Sequence, residues 1–120
     1  MKTIIAGGRD FQDKEMMNSI LNNKNISQVV SGCAKGADFL GEIWAKENKK
    51  SIKYFPANWD TYGKRAGFKR NEDMAHYAEC AIIFWDGKSK GSKHMIDYMK
   101  KLKKPCVIKL YNQEEEEQEW

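Results

Sequence analysis

The chain has 120 residues, of which 41% are hydrophobic and 12% aromatic. This length suits one layered domain and is too short for two. No apolar run approaches the roughly 20 residues that a membrane-spanning helix needs, and residues 1–3 lead straight into a strand-like segment, unlike a secretory leader. We therefore expect a cytoplasmic protein without a membrane partner.

The net charge of +4 is unevenly distributed along the chain. Five of the seventeen acidic residues lie between Glu114 and Glu119, so residues 1–113 carry a charge of about +9. A basic body suits an anionic partner such as a nucleotide or a nucleic acid, although most of the lysines fit solvated helix ends. We predict one domain over residues 1–111 and an acidic tail over residues 112–120 that frays because its charges repel one another.

Short apolar segments alternate with amphipathic segments along the chain. Strands are predicted over residues 2–6, 27–30, 51–55, 79–85 and 106–110. Helices are predicted over residues 13–23, 36–48 and 68–78 and from residue 91 onward. Apolar strands separated by helices are typical of a parallel sheet covered on both sides. The predicted fold class is α/β, a single domain of about five mostly parallel strands with helices on both faces.

Three glycine-bearing turns follow apolar strand segments. Loops that leave the C-terminal ends of parallel strands meet at one edge of the sheet, where ligands bind. Glycine lets the backbone approach a ligand, and the amides of a following helix attract phosphate. The turns therefore predict a pocket for a nucleotide-like molecule. Their candidate ligand-binding residues are Gly7, Gly8, Arg9, Asp10, Ser31, Gly32, Gly36, Ala37, Asp38, Asp86, Gly87, Gly91 and Ser92.

Several of these residues have a predicted role. Arg9 can clamp a phosphate through two hydrogen bonds. Asp10 either caps the next helix, accepts from Arg9 or binds a ribose hydroxyl. Ser31 offers a hydroxyl, and the amides of residues 36–38 are expected to face the ligand. Ser92 is a natural N-cap for the fourth helix.

Other motifs limit the chemistry that we expect. Gly7-Gly8 lacks the full dinucleotide fingerprint, and the second loop lacks the Lys-Ser/Thr pair of an NTP-hydrolysing site. His76 and His94 have no partner at metal-ligand spacing, so surface or packing roles are favoured for them. Cys33 has no base to activate it as a nucleophile, and the other two cysteines fit buried thiols. We predict no metal and no cofactor.

The connection after the third strand is rich in aromatic and cationic side chains. An aromatic ring can stack a base while a neighbouring guanidinium holds a phosphate. For Trp59 and Tyr62, packing against the core is an equal alternative to ligand binding. Binding is favoured for Arg65 and Arg70, and Asn71 is expected to point into the cleft with them.

Taken together, the motifs resemble the YspA-type branch of the SLOG superfamily. In chain order they are Gly-Gly-Arg-Asp-Phe, Val-Val-Ser-Gly-x-Ala-x-Gly-Ala-Asp, Phe-Pro-Ala-x-Trp-Asp-x-Tyr-Gly-Lys-x-Ala-Gly-x-x-Arg-Asn and Phe-Trp-Asp-Gly-x-Ser-x-Gly-Ser. The resemblance runs from residue 1 to about residue 110. It implies a Rossmann-like domain with a pocket for nucleotides or nucleotide-derived signals, in a branch that is common in bacteria and their phages.

Enzymatic relatives in that superfamily, the Lonely Guy phosphoribohydrolases, cleave the N-glycosidic bond of nucleoside monophosphates. Their pattern is Pro-Gly-Gly-x-Gly-Thr, with a Glu three residues after the Thr. Here Gly91-Ser92 resembles the Gly-Thr pair, Met95 stands at the Glu position, and Arg70 resembles the arginine beside the enzymes' cleft. Without the carboxylate that mechanism lacks its acid/base group, so we predict no catalytic residue and favour binding over turnover.

The predicted function is binding of a nucleotide or nucleotide-derived signalling molecule by a receptor or sequestering protein. By analogy alone, a phage-borne copy would be an anti-defence sponge for a cyclic ADP-ribose-type signal. One alternative is an N-glycoside hydrolase that uses Asp10, Asp38 or Asp86, and a less favoured one is single-stranded nucleic-acid binding. A homo-oligomer, dimeric or larger, is expected because so small a chain can complete its pocket with a partner subunit.

Overall fold

The computed structural model describes residues 1–112, in which five strands form one parallel sheet. The strands are Lys2–Gly7 (β1), Gln28–Ser31 (β2), Ser51–Tyr54 (β3), Cys80–Trp85 (β4) and Cys106–Leu110 (β5). They lie in the order β3-β2-β1-β4-β5, and every pairing is parallel. The predicted Rossmann-like α/β fold class is confirmed.

Helices connect each strand to the next and cover both faces of the sheet. The helices are Lys14–Leu21 (α1), Ala37–Glu47 (α2), Trp59–Tyr62 (α3), Ala66–Tyr77 (α4) and Lys90–Lys101 (α5). A short 3₁₀ turn, Gly63–Arg65, joins α3 to α4. Side chains of α1 and α2 pack in one apolar cluster and those of α4 and α5 in another.

Adjacent residues of the central strand β1 belong to opposite clusters. Ile4 packs in the cluster that contains Met74 and Met99, whereas Ile5 packs in the cluster that contains Met17 and Trp44. Both isoleucines are fully buried. Burial of each such side chain contributes about 1.5 to 3 kcal/mol, which is why the central strands are continuously apolar in sequence.

Asp10 does not take the capping role that was one of its three alternatives, and the cap predicted at Ser92 is wrong. Asp13 rather than Asp10 caps α1, and its Oδ1 accepts a hydrogen bond from the Met16 amide at 2.9 Å. Ser89 stands at the N-cap position of α5, so that Ser92 lies inside the first turn of the helix. Ser92 therefore belongs to the regular backbone of the helix.

The remaining predictions about the chain concern its ends and its environment. Among the helices of residues 1–112, none is both long enough and apolar enough to cross a membrane. The predicted fraying of the acidic tail concerns residues 113–120, which lie outside the described residues. The domain division at residue 112 stays a prediction.

Candidate functional site

The sheet has its switch point between β1 and β4. Strands β1 to β3 follow one another to one side, and the chain then crosses to β4 and β5 on the other side. In open α/β sheets such a reversal leaves a crevice at the C-terminal strand ends, and ligands bind there. Two cavities open at this edge of the sheet.

The larger, outer cavity has a volume of about 440 Å³ and the inner cavity about 110 Å³. Both are bordered by Arg9, Ala34 and Arg70. The outer cavity is also lined by Gly32, Cys33, Lys35, Pro56, Ala57 and Trp59. The inner cavity is also lined by Gly7, Asp38, Asn71, Gly91, Ser92 and Met95. We refer to the two cavities together as the cleft.

Arg70, on α4, is held between the two cavities. Its Nη1 donates to the carbonyl oxygen of Gly32, and its Nε donates to Asn71 Oδ1 at 3.1 Å. A Cβ built on Gly67 would lie 3.8 Å from Arg70 Nη2 and 3.9 Å from Trp59 Cη2, so the guanidinium and the edge of the indole lie close to the same point. A half-buried cation fixed at two of its nitrogens is preorganised to bind an anion.

Two more cations border the cleft. Arg9 and Lys35 are exposed, and neither forms a hydrogen bond or an ion pair with another residue of the range 1–112. With Arg70 they give the outer cavity three positive side chains. Lys35 was not predicted as a site residue. It lies in a turn between Gly32 and Gly36, which were both predicted to bind the ligand. The field of this cavity attracts anionic ligands.

Asp38, in the first turn of α2, is the acidic side chain of the inner cavity. It is only 4% exposed, and its Oδ2 accepts from the Ala34 amide at 3.3 Å. Burial raises the pKa of Asp38 to about 6, against the opposing effects of the Ala34 amide and of the Arg70 charge. Carboxyl groups with such a raised pKa, placed in a cleft, are candidates for functional roles.

Replacing Asp38 with asparagine is expected to remove a pH-dependent loss of stability. A carboxyl whose pKa is higher in the folded protein than the 3.8 of the free group stabilises the fold below pH 3.8 and loses this contribution as the pH rises through about 6. This difference between the two pKa values corresponds to at most about 3 kcal/mol of folding stability. Relative to wild type, Asp38→Asn should therefore gain stability between about pH 4 and pH 7.

Urea unfolding of both proteins across that range measures the difference. Asn can still accept the hydrogen bond from Ala34, so the comparison isolates the charge. Asp60→Asn, at an exposed site on α3, controls for the removal of one negative charge. A constant stability difference between wild type and Asp38→Asn at every pH would contradict the prediction.

Ser31 is placed differently from its prediction. It is fully buried, and its Oγ donates to Glu42 Oε2 at 2.6 Å and accepts from the Cys33 amide at 3.1 Å. The hydroxyl therefore shapes the loop, and Ser31 lines neither cavity, so its direct contact with a ligand stays a prediction. Cys33 follows with φ at +66°. Burial, and then the Glu42 charge, raise the pKa of its thiol, which does not favour a thiolate nucleophile.

Several glycines bring the loops into contact with one another. A Cβ at Gly7 would lie 2.1 Å from the Phe84 carbonyl oxygen, and one at Gly36 would lie 2.2 Å from the Gly8 carbonyl oxygen. The Gly8 amide donates to Phe84 O at 3.0 Å, and the Ala37 amide donates to Gly8 O at 3.2 Å. The amides of Gly8 and Ala37 thus donate inside the protein, although the Ala37 amide was expected to face the ligand.

Two predicted carboxylates lie outside the cleft. Asp10 accepts from Tyr111 Oη at 2.6 Å and from Asn112 Nδ2 at 3.4 Å. Asp86 accepts hydrogen bonds from the backbone amides of residues 88 and 89, just after Gly87. These hydrogen bonds hold the pKa of Asp86 below its usual range. Across residues 1–112, the His, Cys, Asp and Glu side chains form no group of three or more that could hold a metal ion.

The connection after β3 divides its aromatic side chains between two places. Trp59 is 54% exposed and lines the outer cavity. Tyr62 and Arg65 line a separate cavity of about 190 Å³ with Phe68 and Glu72. Tyr62 and Arg65 therefore line neither cavity of the cleft, and their predicted contact with a ligand beside Trp59 stays a prediction.

Asn71 links α4 to the first turn of α5. It is 8% exposed, and its Nδ2 donates to the Gly91 carbonyl oxygen at 3.2 Å. Gly91 and Ser92 border the inner cavity through that first turn. The first amides of a helix have no intrahelical acceptor and carry a partial positive charge. The inner cavity thus combines a helix N-terminus with the guanidinium of Arg70.

A parallel Rossmann-like sheet with a cationic cleft at its switch point is typical of nucleotide-binding proteins. The chain belongs to the YspA, cpYpsA-related SLOG family, whose family model matches residues 1–62. The resemblance stated above is therefore confirmed. Membership indicates nucleotide-related binding or processing.

One curated relative aligns along most of the chain. Gene 61 protein of Mycobacterium phage D29 is 27% identical over 117 residues, covering 88% of this chain and 94% of that protein. No solved structure matches the chain significantly. The similarity to a phage protein is consistent with the bacterial and phage distribution that the resemblance implies.

Proposed function

We propose that this protein binds a nucleotide-derived signalling molecule in the cleft, as a receptor or a sequestering protein. The position of Arg70 carries the proposal, because this cation is fixed by two hydrogen bonds and borders both cavities. A phosphate held between Arg9 and Arg70 would place an attached base within reach of the Trp59 ring. The 440 Å³ of the outer cavity falls in the usual range for small-molecule sites.

The inner cavity supports a second anionic group on the same ligand. At 110 Å³ it is too small for a nucleoside but suits a phosphate. Gly91 and Ser92 supply the helix N-terminus that favours such a group, and Arg70 lines the same cavity. A ligand with a base and more than one phosphate, as in ADP-ribose derivatives, satisfies both cavities.

The specific role that we propose is removal of a host signal of the cyclic ADP-ribose type. Membership of the SLOG family and the similarity to a phage protein support it. Calorimetric titration with AMP, ADP-ribose and cyclic ADP-ribose tests the proposal. Binding of at least one of them below about 100 μM, near −5.5 kcal/mol, is expected, whereas no binding by any of them would refute it.

We also propose that the protein forms a homo-oligomer. Ile108 and Leu110 on the edge strand β5 are 38% and 51% exposed, and unpaired edge strands readily add another chain. Light scattering coupled to size-exclusion chromatography would give the mass in solution.

Replacing Trp59 with alanine is expected to weaken binding by about 1 to 3 kcal/mol, because the ligand loses its stacking surface. Trp59→Phe should keep much of the affinity. Phe39→Ala is the matched control, since Phe39 is 55% exposed and lines neither cavity. Calorimetry with ADP-ribose gives the three affinities. Equal affinity of Trp59→Ala and wild type would show that the indole does not contact the base.

One observation favours a second candidate function, hydrolysis of an N-glycosidic bond. Of the three carboxylates predicted for it, only Asp38 lines the cleft, and a pKa of about 6 suits a general acid or base near neutral pH. Incubation with AMP, NAD and ADP-ribose, followed by chromatography for free base, distinguishes the functions. Release of base that disappears in Asp38→Asn would establish turnover, and recovery of the intact ligand would exclude it.

A further inference from the structure

A series of polar contacts leads from the surface of α4 and α5 to Arg70. Asn71 Oδ1 accepts from Arg70 Nε at 3.1 Å, and Asn71 Nδ2 lies 3.4 Å from His94 Nδ1. On the far side of the imidazole, His94 Nε2 lies 3.6 Å from Glu72 Oε2. The function proposed above uses Arg70 and Asn71 and leaves His94 and Glu72 without a role.

The neighbours of Asn71 determine the orientation of its amide. Arg70 Nε can only donate, so the atom facing it has to be Oδ1. The Gly91 carbonyl can only accept, so the atom 3.2 Å from it has to be Nδ2. The two requirements agree, and the second hydrogen of Nδ2 then points to His94.

That orientation in turn determines the tautomer of His94. Facing an N–H donor, its Nδ1 has to accept, and a neutral imidazole that accepts at Nδ1 carries its proton on Nε2. The Nε2–H then faces the carboxylate of Glu72. The ring of Phe68 stacks on the imidazole with centroids 4.3 Å apart and an interplanar angle of 26°, which restricts rotation of the imidazole.

We propose that His94 is a positioning residue for the cleft. With Glu72 behind it, His94 presents an acceptor that keeps the Asn71 amide oriented so that its oxygen holds Arg70 between the two cavities. Without this acceptor the amide loses one of the three hydrogen bonds that fix it, so that it moves more freely and holds Arg70 Nε less tightly. The effect on affinity rests on the proposed function, whereas the effect on Arg70 itself does not.

Two substitutions of His94 separate the acceptor from the rest of the side chain. His94→Asn keeps an oxygen near the position of Nδ1, and His94→Leu fills the space without an acceptor. Both remove the imidazole that stacks on Phe68. In the ¹⁵N-labelled full chain, exchange of the Arg70 Nε–H with water is expected to be about fivefold faster in His94→Leu than in wild type, as for the loss of one hydrogen bond. His94→Asn should stay within about twofold of wild type.

The same variants are then titrated with ADP-ribose. Binding is expected to weaken about fivefold in His94→Leu and to be restored in His94→Asn. If wild type does not bind ADP-ribose but Arg70 exchange still rises only in His94→Leu, the positioning role stands and the ligand assignment fails. Unchanged exchange in His94→Leu would overturn the positioning role whatever binds. An equal rise in both variants would also overturn it, because the lost stacking would then be the cause. If His94→Leu does not fold, His94→Ala, which also lacks the acceptor, replaces it.

Discussion

Replacing Arg70 with alanine is expected to weaken binding of ADP-ribose by about 3 kcal/mol, more than a hundredfold. The substitution removes one of the two cations that border both cavities, and it leaves the Gly32 carbonyl and Asn71 Oδ1 without their donor. Charge-assisted hydrogen bonds contribute about 1.5 to 3 kcal/mol each, and a phosphate between the cavities would accept more than one. Calorimetry on wild type and variant measures the loss.

Two further arginine variants make this result specific. Arg70→Lys keeps the charge but not the planar fork, so a loss of about tenfold is expected. Arg65→Ala removes the same kind of side chain five residues away, outside the cleft, and should change affinity by less than about twofold. Similar losses in Arg65→Ala and Arg70→Ala would mean that general positive charge, and not the site, attracts the ligand.

Replacing Gly36 with alanine is expected to reduce the free energy of unfolding by at least about 2 kcal/mol. Its φ of +77° with ψ of −124° is a conformation open essentially to glycine and costs an alanine about 1 to 3 kcal/mol. The new Cβ would also lie 2.2 Å from Gly8 O and 2.6 Å from Arg9 C, both backbone atoms that cannot rotate away. Overpacking of this kind costs about 1 to 3 kcal/mol, which is a large part of the stability of a small domain.

Substitutions at two other glycines separate the cost of the backbone conformation from the cost of the steric overlap. Gly63 has φ at +56° and ψ at −133° with no atom within 4 Å of a built Cβ, so Gly63→Ala should lose only the backbone cost of about 1 to 3 kcal/mol. Gly91, in the first turn of α5, has open space and no positive φ, so Gly91→Ala should be neutral or slightly stabilising. Urea unfolding of the three variants is expected to rank Gly36→Ala as the least stable and Gly91→Ala as the most stable. Any other order would contradict the steric argument.

Most of the fold could be predicted because strands that are buried on both faces of the sheet have continuously apolar sequences. Ile4 and Ile5 must both be apolar since they enter opposite clusters, and the same holds for Ile82 and Ile83. Four amphipathic segments between such strands define a parallel sheet with little ambiguity. The glycine turns then locate the cleft at the C-terminal edge, because topology alone brings them together.

The site residues that were misplaced depend on contacts across long stretches of chain. Asp10 is held by Tyr111, 101 residues away, and no local pattern distinguishes it from Asp13 as a cap. Ser31 is buried against Glu42 of α2. Helix α3 has only four residues, which is too short for a helical repeat to be recognised in the sequence. Its placement puts Trp59 in the cleft and Tyr62 outside it.

The shared wall of the two cavities has a consequence for the size of the ligand. Because Arg9, Ala34 and Arg70 border both, two separate fragments would compete for the same guanidinium groups. A single molecule that spans the wall meets no such conflict, and its second half binds at a high effective concentration. Half-molecules such as ribose phosphate should therefore be poor surrogates for the complete ligand, and fragment screens would underestimate what this cleft can hold.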